Sequence, residues 1–216
     1  AYIGAVGVNT NASLNISYVN TFSNVVAITH AHGRKAVICI TDGDGSPDNN
    51  GNLVNICSSA AARSTLITNI LEFCQKYNFD GVDFDWEFPP ASAEPSFIFM
   101  LTPLRAATPP GFLISAAVMY GTPTLASAPV DWFYIMAYVF DLQQCANEVN
   151  TWLSSGAASS KLVLGMGLYG QASSGGQIGY AQVIGTNNID PSLDFYDGVT
   201  FMGINTVKQL TKYVYD

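Results

Sequence analysis

Six short apolar runs, separated by stretches with helical spacing, constrain this chain more than any other feature. The runs are AYIGAVGV (1–8), KAVICIT (35–41), FDGVDFDW (79–86), FLISAAV (112–118), DWFYIMAY (131–138) and KLVLGMG (161–167). Each has the length of a strand and apolar residues at both parities, the pattern of strands covered on both faces in a parallel sheet. Between the first two runs, Tyr18, Phe22, Val25, Val26 and Thr29 share a helical face that Gly33 closes. Between the second and third, Ile67, Ile70, Leu71, Cys74 and Tyr77 share another, with Ser58 or Ser59 as its cap. Pro95 suits the first turn of a third helix, and Pro103 predicts its end or a kink. A fourth helix is expected at 142–154, stopped by Gly156, and a fifth from Asn205, a candidate cap, to the C-terminus.

Strict β-α alternation predicts a parallel α/β fold, read here as a single domain over 1–216. An open doubly wound sheet and a closed barrel both satisfy it. The nucleotide-binding versions do not fit. No P-loop occurs, and the glycines of GMGLYG (165–170) are followed by QASSGGQ rather than by an apolar helix. The turn-rich DGDGSPDNNGN (42–52) alternates Asp and Gly as calcium loops do, but lacks the closing Glu of an EF-hand.

Charge narrows the partners. The chain has a formal net charge of −8 with only eight Lys and Arg. That leaves no basic face for nucleic acid or an anionic membrane surface. Half of the residues are hydrophobic, yet no run approaches the roughly 18 apolar residues of a membrane span. Scarce Lys and Glu beside abundant Ser, Asn, Thr and Gly suggest a secreted protein. Cys39, Cys57, Cys74 and Cys145 form no C-x-x-C pair, which argues against a zinc site. Two disulfides are allowed by the count, while Cys39 and Cys74 sit in apolar periodic segments that suit buried thiols. His30 and His32 read as a surface helix end.

Against this background NFDGVDFDWEFPP (78–90) stands out. In a chain with 11% charged residues it carries Asp80, Asp83, Asp85 and Glu87. Alternate residues of a strand share a face, so Asp83, Asp85 and Glu87 point one way and Val82, Phe84 and Trp86 the other. Asp80 falls outside that phase. Like charges on one face repel, and burial disfavours ionising them, so the arrangement costs stability and points to chemistry. In parallel α/β proteins the active site lies at the C-terminal strand ends. Glu87, last before Phe88-Pro89-Pro90, is therefore the candidate general acid, with Asp85 one layer deeper and Asp83 deeper again.

These residues resemble the signature of glycoside hydrolase family 18, the chitinases and endo-β-N-acetylglucosaminidases. Asp80, Gly81, Asp83, Asp85 and Glu87 match its Asp-Gly-x-Asp-x-Asp-x-Glu at every position, and Met136 and Tyr138 match a Met-x-Tyr motif on a later strand. The resemblance runs over nearly the whole chain. It implies a TIM (β/α)8 barrel in which AYIGAVGV is the second strand. The chain ends on the helix before the eighth, so the first and eighth strands are expected to be missing, and the sequence to be part of a longer chain. It also implies a substrate-assisted mechanism, one of the exceptions to the two-carboxylate rule. Glu87 would be the acid, Asp85 the acetamido partner, Asp83 the group that shares a proton with Asp85, and Tyr138 the acetamido anchor. Met136, Asp141, Trp132 and Tyr169 are the candidate substrate contacts, with Tyr180 as a further aromatic. No metal and no cofactor is implied. The partner is an N-acetylglucosamine-containing polysaccharide or glycan, namely chitin, chitooligosaccharides or the chitobiose core of N-glycans.

The family's small α+β insertion after the seventh strand is expected to be absent, with 171–204 a polar loop and the cleft shallow and open to endo-acting cleavage. The sequence departs from the family at three places. Cys39-Ile40-Thr41-Asp42 stands for Ser-x-Gly-Gly, Val139 for an Asp after Tyr138, and Gly4 and Val6 for aromatic residues. The alternative to a hydrolase is a non-catalytic, chitinase-like sugar-binding protein.

Overall fold

A computed structural model describes residues 2–15, 19–42, 51–86, 89–138, 141–186 and 189–215. Six parallel strands form its centre: β1 (Tyr2–Val8), β2 (Val37–Asp42), β3 (Gly81–Asp85), β4 (Leu113–Val118), β5 (Trp132–Ile135) and β6 (Leu162–Leu164). They pair in chain order, β1 and β6 forming the two ends of the sheet. The helices between them are α1 (Val19–Ala31), α2 (Asn52–Ser58), α3 (Ala60–Tyr77), α4 (Glu94–Ala107), α5 (Pro123–Ala126) and α6 (Leu142–Ser154). The six sequence runs are the six strands. This is six-eighths of a β/α barrel, with no closure between β1 and β6 among the described residues.

The core lies between the sheet and these helices. Register places Ile38, Val82 and Ile114 side by side, and Ile40, Phe84, Ala116 and Phe133 in the next row. All seven are buried. Removing such side chains from water contributes about 1.5–3 kcal/mol each for the larger ones. Phe97 of α4 meets Phe84 edge-on at 5.5 Å and Trp86 at 5.3 Å, so one helix fixes the outer face of the acidic strand. Gly81 admits the close β3–β4 approach: a Cβ there would lie 2.5 Å from the Leu113 carbonyl oxygen.

Charged groups at the N-terminal strand ends tie the floor together. The Asp80 carboxylate accepts from the Ala36 amide at 2.7 Å and pairs with His30 Nε2 at 2.7 Å. Arg105 bonds Asp131 at 2.6 Å and the Phe112 carbonyl at 2.8 Å. In barrels of this kind that end serves stability. His30 is therefore a clasp on Asp80 rather than a plain surface residue, while His32 is exposed.

Three local expectations change. Pro103 lies inside α4, which continues to Ala107. It sits on the exposed face, where water reaches the carbonyl it cannot serve. Ser59 caps α3, accepting from the Ala62 amide, but the extra helix α2 precedes it. Asn205 falls inside α8 (Ile204–Tyr215), whose first turn is held instead by Asp194, accepting from the Gly203 amide at 2.7 Å and Thr206 Oγ1 at 2.8 Å.

The larger correction concerns 171–204. It is not a polar loop. Strands β7 (Tyr169–Ala172), β8 (Gln177–Gly179), β9 (Phe195–Tyr196) and β10 (Val199–Thr200) form an antiparallel sheet in the order β8-β7-β10-β9. Helix α7 (Tyr180–Thr186) packs on it through a small core of Val183, Ile189 and Phe201. A small α+β unit thus follows β6, where the sequence predicts its absence. All four cysteines are free thiols, with Cys57, Cys74 and Cys145 buried.

Candidate active site

The acidic strand sits at the middle of the sheet, and its neighbours decide what faces Asp83 and Asp85. Parallel register places Cys39 of β2 and Ser115 of β4 on either side of Asp83. One layer nearer the C-terminal ends, Thr41 and Ala117 flank Asp85, and Tyr134 of β5 follows Ala117. Val82, Phe84 and Trp86 point the other way, each at most 1% exposed. The two-residue period thus separates packing from chemistry within one strand.

Asp83 is 1% exposed and accepts from Ser115 Oγ at 2.5 Å. Asp85 is half-buried, and its Oδ1 is enclosed without a hydrogen-bond partner among the described residues. Burial raises the Asp85 carboxyl above its ordinary value, so a proton is held there more readily than on an exposed aspartate. The Cys39 thiol is pushed far up by burial and by the neighbouring Asp83 and Asp85 charges, so it stays neutral.

A cavity of about 260 Å³ opens over these groups, lined by Cys39, Asp83, Asp85, Ala117, Tyr134, Met136 and Tyr138. Its volume is slightly below the roughly 300–1,000 Å³ of typical ligand sites. Ala117 makes the room, being small where its register partners carry Asp and Tyr. Tyr138 stands at the rim, 47% exposed. Gly165 backs it: a Cβ there would lie 3.0 Å from the Tyr138 ring. A wider groove of about 440 Å³ runs along α6, β6 and the end of α8, but no carboxylate among the described residues lines it. Chemistry, not size, singles out the smaller cavity.

Of the sequence candidates, the structure brings Asp83, Asp85, Met136 and Tyr138 together. Glu87 lies outside the described residues, as do Phe88, Val139 and most of the 42–52 loop. Three candidates lie elsewhere. Trp132 opens β5 level with Ser115, one layer below Tyr134, and does not line the cavity. Asp141 caps α6, its exposed carboxylate accepting from the Gln144 amide at 2.9 Å. Tyr169 opens β7 opposite Gly179 in the small sheet, and Tyr180 packs edge-on against Phe201. Cys39 enters the sequence reading only as a thiol and as a departure from the family pattern, and Ser115, Ala117 and Tyr134 do not enter it as site residues. Tyr134 was within reach, because it shares the alternating face of Trp132, Met136 and Tyr138.

The departure at the end of β2 has a structural use. Asp42 is buried, and its Oδ1 accepts from the Leu53 amide at 3.0 Å, tying the strand to α2. Its Oδ2 and Thr41 Oγ1 are enclosed without partners among the described residues. The described residues hold no cluster of three or more His, Cys, Asp or Glu with metal-binding geometry.

The class is that of an α/β barrel sector with stacked inward carboxylates on a central strand. The chain belongs to the glycosyl hydrolases of family 18, whose profile matches residues 2–216. It is 30% identical over 194 residues to a protein named probable chitinase 10 of Drosophila melanogaster, an alignment covering 71% of this chain and 8% of that protein. It is 28% identical over 213 residues to Nod factor hydrolase protein 1 of Medicago truncatula, covering 80% of this chain and 55% of that one. The chain thus spans about half or less of the length of these relatives. Among solved structures, a chitinase from Bacteroides thetaiotaomicron superposes with a TM-score of 0.85 at 18% identity, over 99% of this chain and 76% of its own. A class V chitinase from Nicotiana tobaccum, solved as a mutant in complex with NAG4, superposes with a TM-score of 0.82 at 19% identity, over 99% and 83%. These superpositions establish the barrel fold.

Proposed function

We propose that this chain hydrolyses β-1,4-linked N-acetylglucosamine, in chitin or chitooligosaccharides, by a substrate-assisted retaining mechanism with Glu87 as general acid. The observation that carries the reading is the stack of buried Asp83 and half-buried Asp85 beneath a cavity rimmed by Tyr138, in a chain whose sequence continues the alternation to Glu87. Glu87 protonates the glycosidic oxygen. The substrate's 2-acetamido oxygen attacks the anomeric carbon, forming an oxazolinium ion while the leaving sugar departs. Asp85 accepts a hydrogen bond from the acetamido N–H. Burial raises the Asp85 carboxyl, and sharing a proton with Asp83 lets Asp85 take up negative charge as the oxazolinium ion forms. The Tyr138 hydroxyl donates to the acetamido carbonyl and holds it for attack. Water then opens the oxazolinium ion, with Glu87 as base.

A composition scarce in charge and rich in Ser, Asn, Thr and Gly supports an extracellular setting as part of this proposal. Names among the relatives refer to chitin and to Nod factor. Both fit a site that recognises N-acetylglucosamine.

The test is release of a chromophore from a chitobioside. The wild-type chain, or the full protein that contains it, turns the substrate over, and Glu87→Gln lowers kcat by at least about 10³-fold. Binding of chitooligosaccharide without turnover by the wild type would instead establish a sugar-binding relative.

A further inference from the structure

We propose that Ser115 is a positioning residue that assigns the proton shared by Asp83 and Asp85. By donating to Asp83 it holds that carboxylate ionised and leaves the proton on Asp85 until substrate arrives. The inference rests on the glycosidase reading above and deepens it.

The geometry is specific. Asp83 is enclosed between two strands, with Ser115 on one side and Cys39 on the other. The two neighbours differ in strength. The Ser115 hydroxyl donates to Asp83 Oδ1 at 2.5 Å, a short hydrogen bond to a charged acceptor. The Cys39 thiol, paired in register on the other side, is a weak donor. Hydrogen bonding to the charged form favours that form, so the serine makes Asp83 the poorer proton holder. Asp85 has the opposite surroundings, with one oxygen enclosed and unpartnered among the described residues. The groups facing the pair are Cys39 from β2, Ser115 from β4, and Tyr134 and Tyr138 from β5 and the segment after it. Glu87, two residues on in the sequence, lies outside the described residues.

When the substrate's acetamido N–H needs Asp85 as acceptor, the proton moves to Asp83. The serine hydroxyl then rotates and changes from donor to acceptor, which a hydroxyl can do and a backbone N–H or an ammonium cannot. Ser115 therefore sets the resting distribution without blocking the transfer.

The experiment is the pH profile of kcat/KM on a chitobioside, with melting temperature measured alongside. Loss of the donor raises the proton affinity of the coupled pair. Ser115→Ala therefore moves the acid limb to higher pH by about one unit, equivalent to about tenfold in proton affinity. Ser115→Thr, which keeps a hydroxyl, returns the limb toward its original position. Cys39→Ser places a stronger donor on the other side of Asp83 and moves the limb down. It carries the test if Ser115→Ala does not fold. A Ser115→Ala enzyme that loses rate or stability with its acid limb unmoved overturns the proposal, as does a Cys39→Ser limb that stays or rises. A Glu87→Gln enzyme with wild-type turnover would instead sink the glycosidase reading, whatever the limbs do.

Discussion

Asp80 is the first acid of the signature, yet the structure makes it a structural residue, and this can be tested. Its Oδ2 accepts from the Ala36 amide and pairs with His30 Nε2, both at 2.7 Å. Asn78 Nδ2 lies 3.3 Å from the other ring nitrogen, which assigns the ring proton to Nε2. In Asp80→Ala the fully buried Ala36 amide loses its partner, a cost of about 1–3 kcal/mol. The half-exposed His30 contact adds about 0.5–1 kcal/mol. Main-chain bonds from the Asp80 amide to the Ala36 carbonyl and from the Leu113 amide to the Asp80 carbonyl survive, so the strand ladder persists and the loss stays near 3 kcal/mol. For a chain of this size that lowers Tm by about 6–12 °C. Calorimetry and kcat measured on the same sample decide the matter. The expected result is a large Tm loss with kcat reduced less than tenfold at a temperature where the variant is folded. Asp80→Asn, which retains one acceptor, should lose about a third as much. An unchanged Tm combined with activity lost as completely as in Glu87→Gln would refute the reasoning and put Asp80 in the chemistry.

Other outcomes follow from the same geometry. Burial raises the Asp85 carboxyl above its ordinary value of 3.8, so its contribution to stability is present below 3.8 and is lost as pH rises through the raised value. Asp85→Asn should therefore abolish turnover while melting higher than wild type at neutral pH, and the gap should shrink as pH falls toward 3.8; a gap that widens on acidification contradicts this. Gly165→Ala places a Cβ 2.9 Å from the Ile135 carbonyl oxygen and 3.0 Å from the Tyr138 ring, which must shift. Turnover should drop on the order of ten- to a hundredfold, with Tm lowered as well because the Ile135 backbone must give, and equal kcat/KM at a temperature where the variant is folded would show that Tyr138 needs no fixed position. Cys57 and Cys74 are pushed up to about 12 by burial, so neither should react with a thiol reagent at pH 8 until guanidinium exposes all four cysteines. Rapid labelling of either in the native protein would contradict the packing.

The sequence by itself determined the strands, their faces and the order of the acids. A two-residue period is a covalent property of extended chain, so Val82, Phe84 and Trp86 had to part from Asp83 and Asp85 wherever the strand lay. Apolar runs at both parities likewise called for helices on one face and a filled or catalytic interior on the other. What local pattern does not contain is which residue of a neighbouring strand arrives beside a given one. That depends on hydrogen-bond register between segments far apart in the chain. Register alone put Cys39 and Ser115 against Asp83, set Ala117 beside Asp85, and left Trp132 a layer too deep. The same limit hid the small sheet. Strands of two residues such as β9 and β10 are too short to show a period, and they exist because each pairs with a partner elsewhere in the unit. Asp141 shows the complementary case. Its spacing from Tyr138 suggested a sugar contact, but the start of α6 leaves amides unpaired, and the nearest carboxylate is drawn to them. The acids of the site were legible because strand geometry is local; their proton partners were not, because only the assembled sheet brings them within reach.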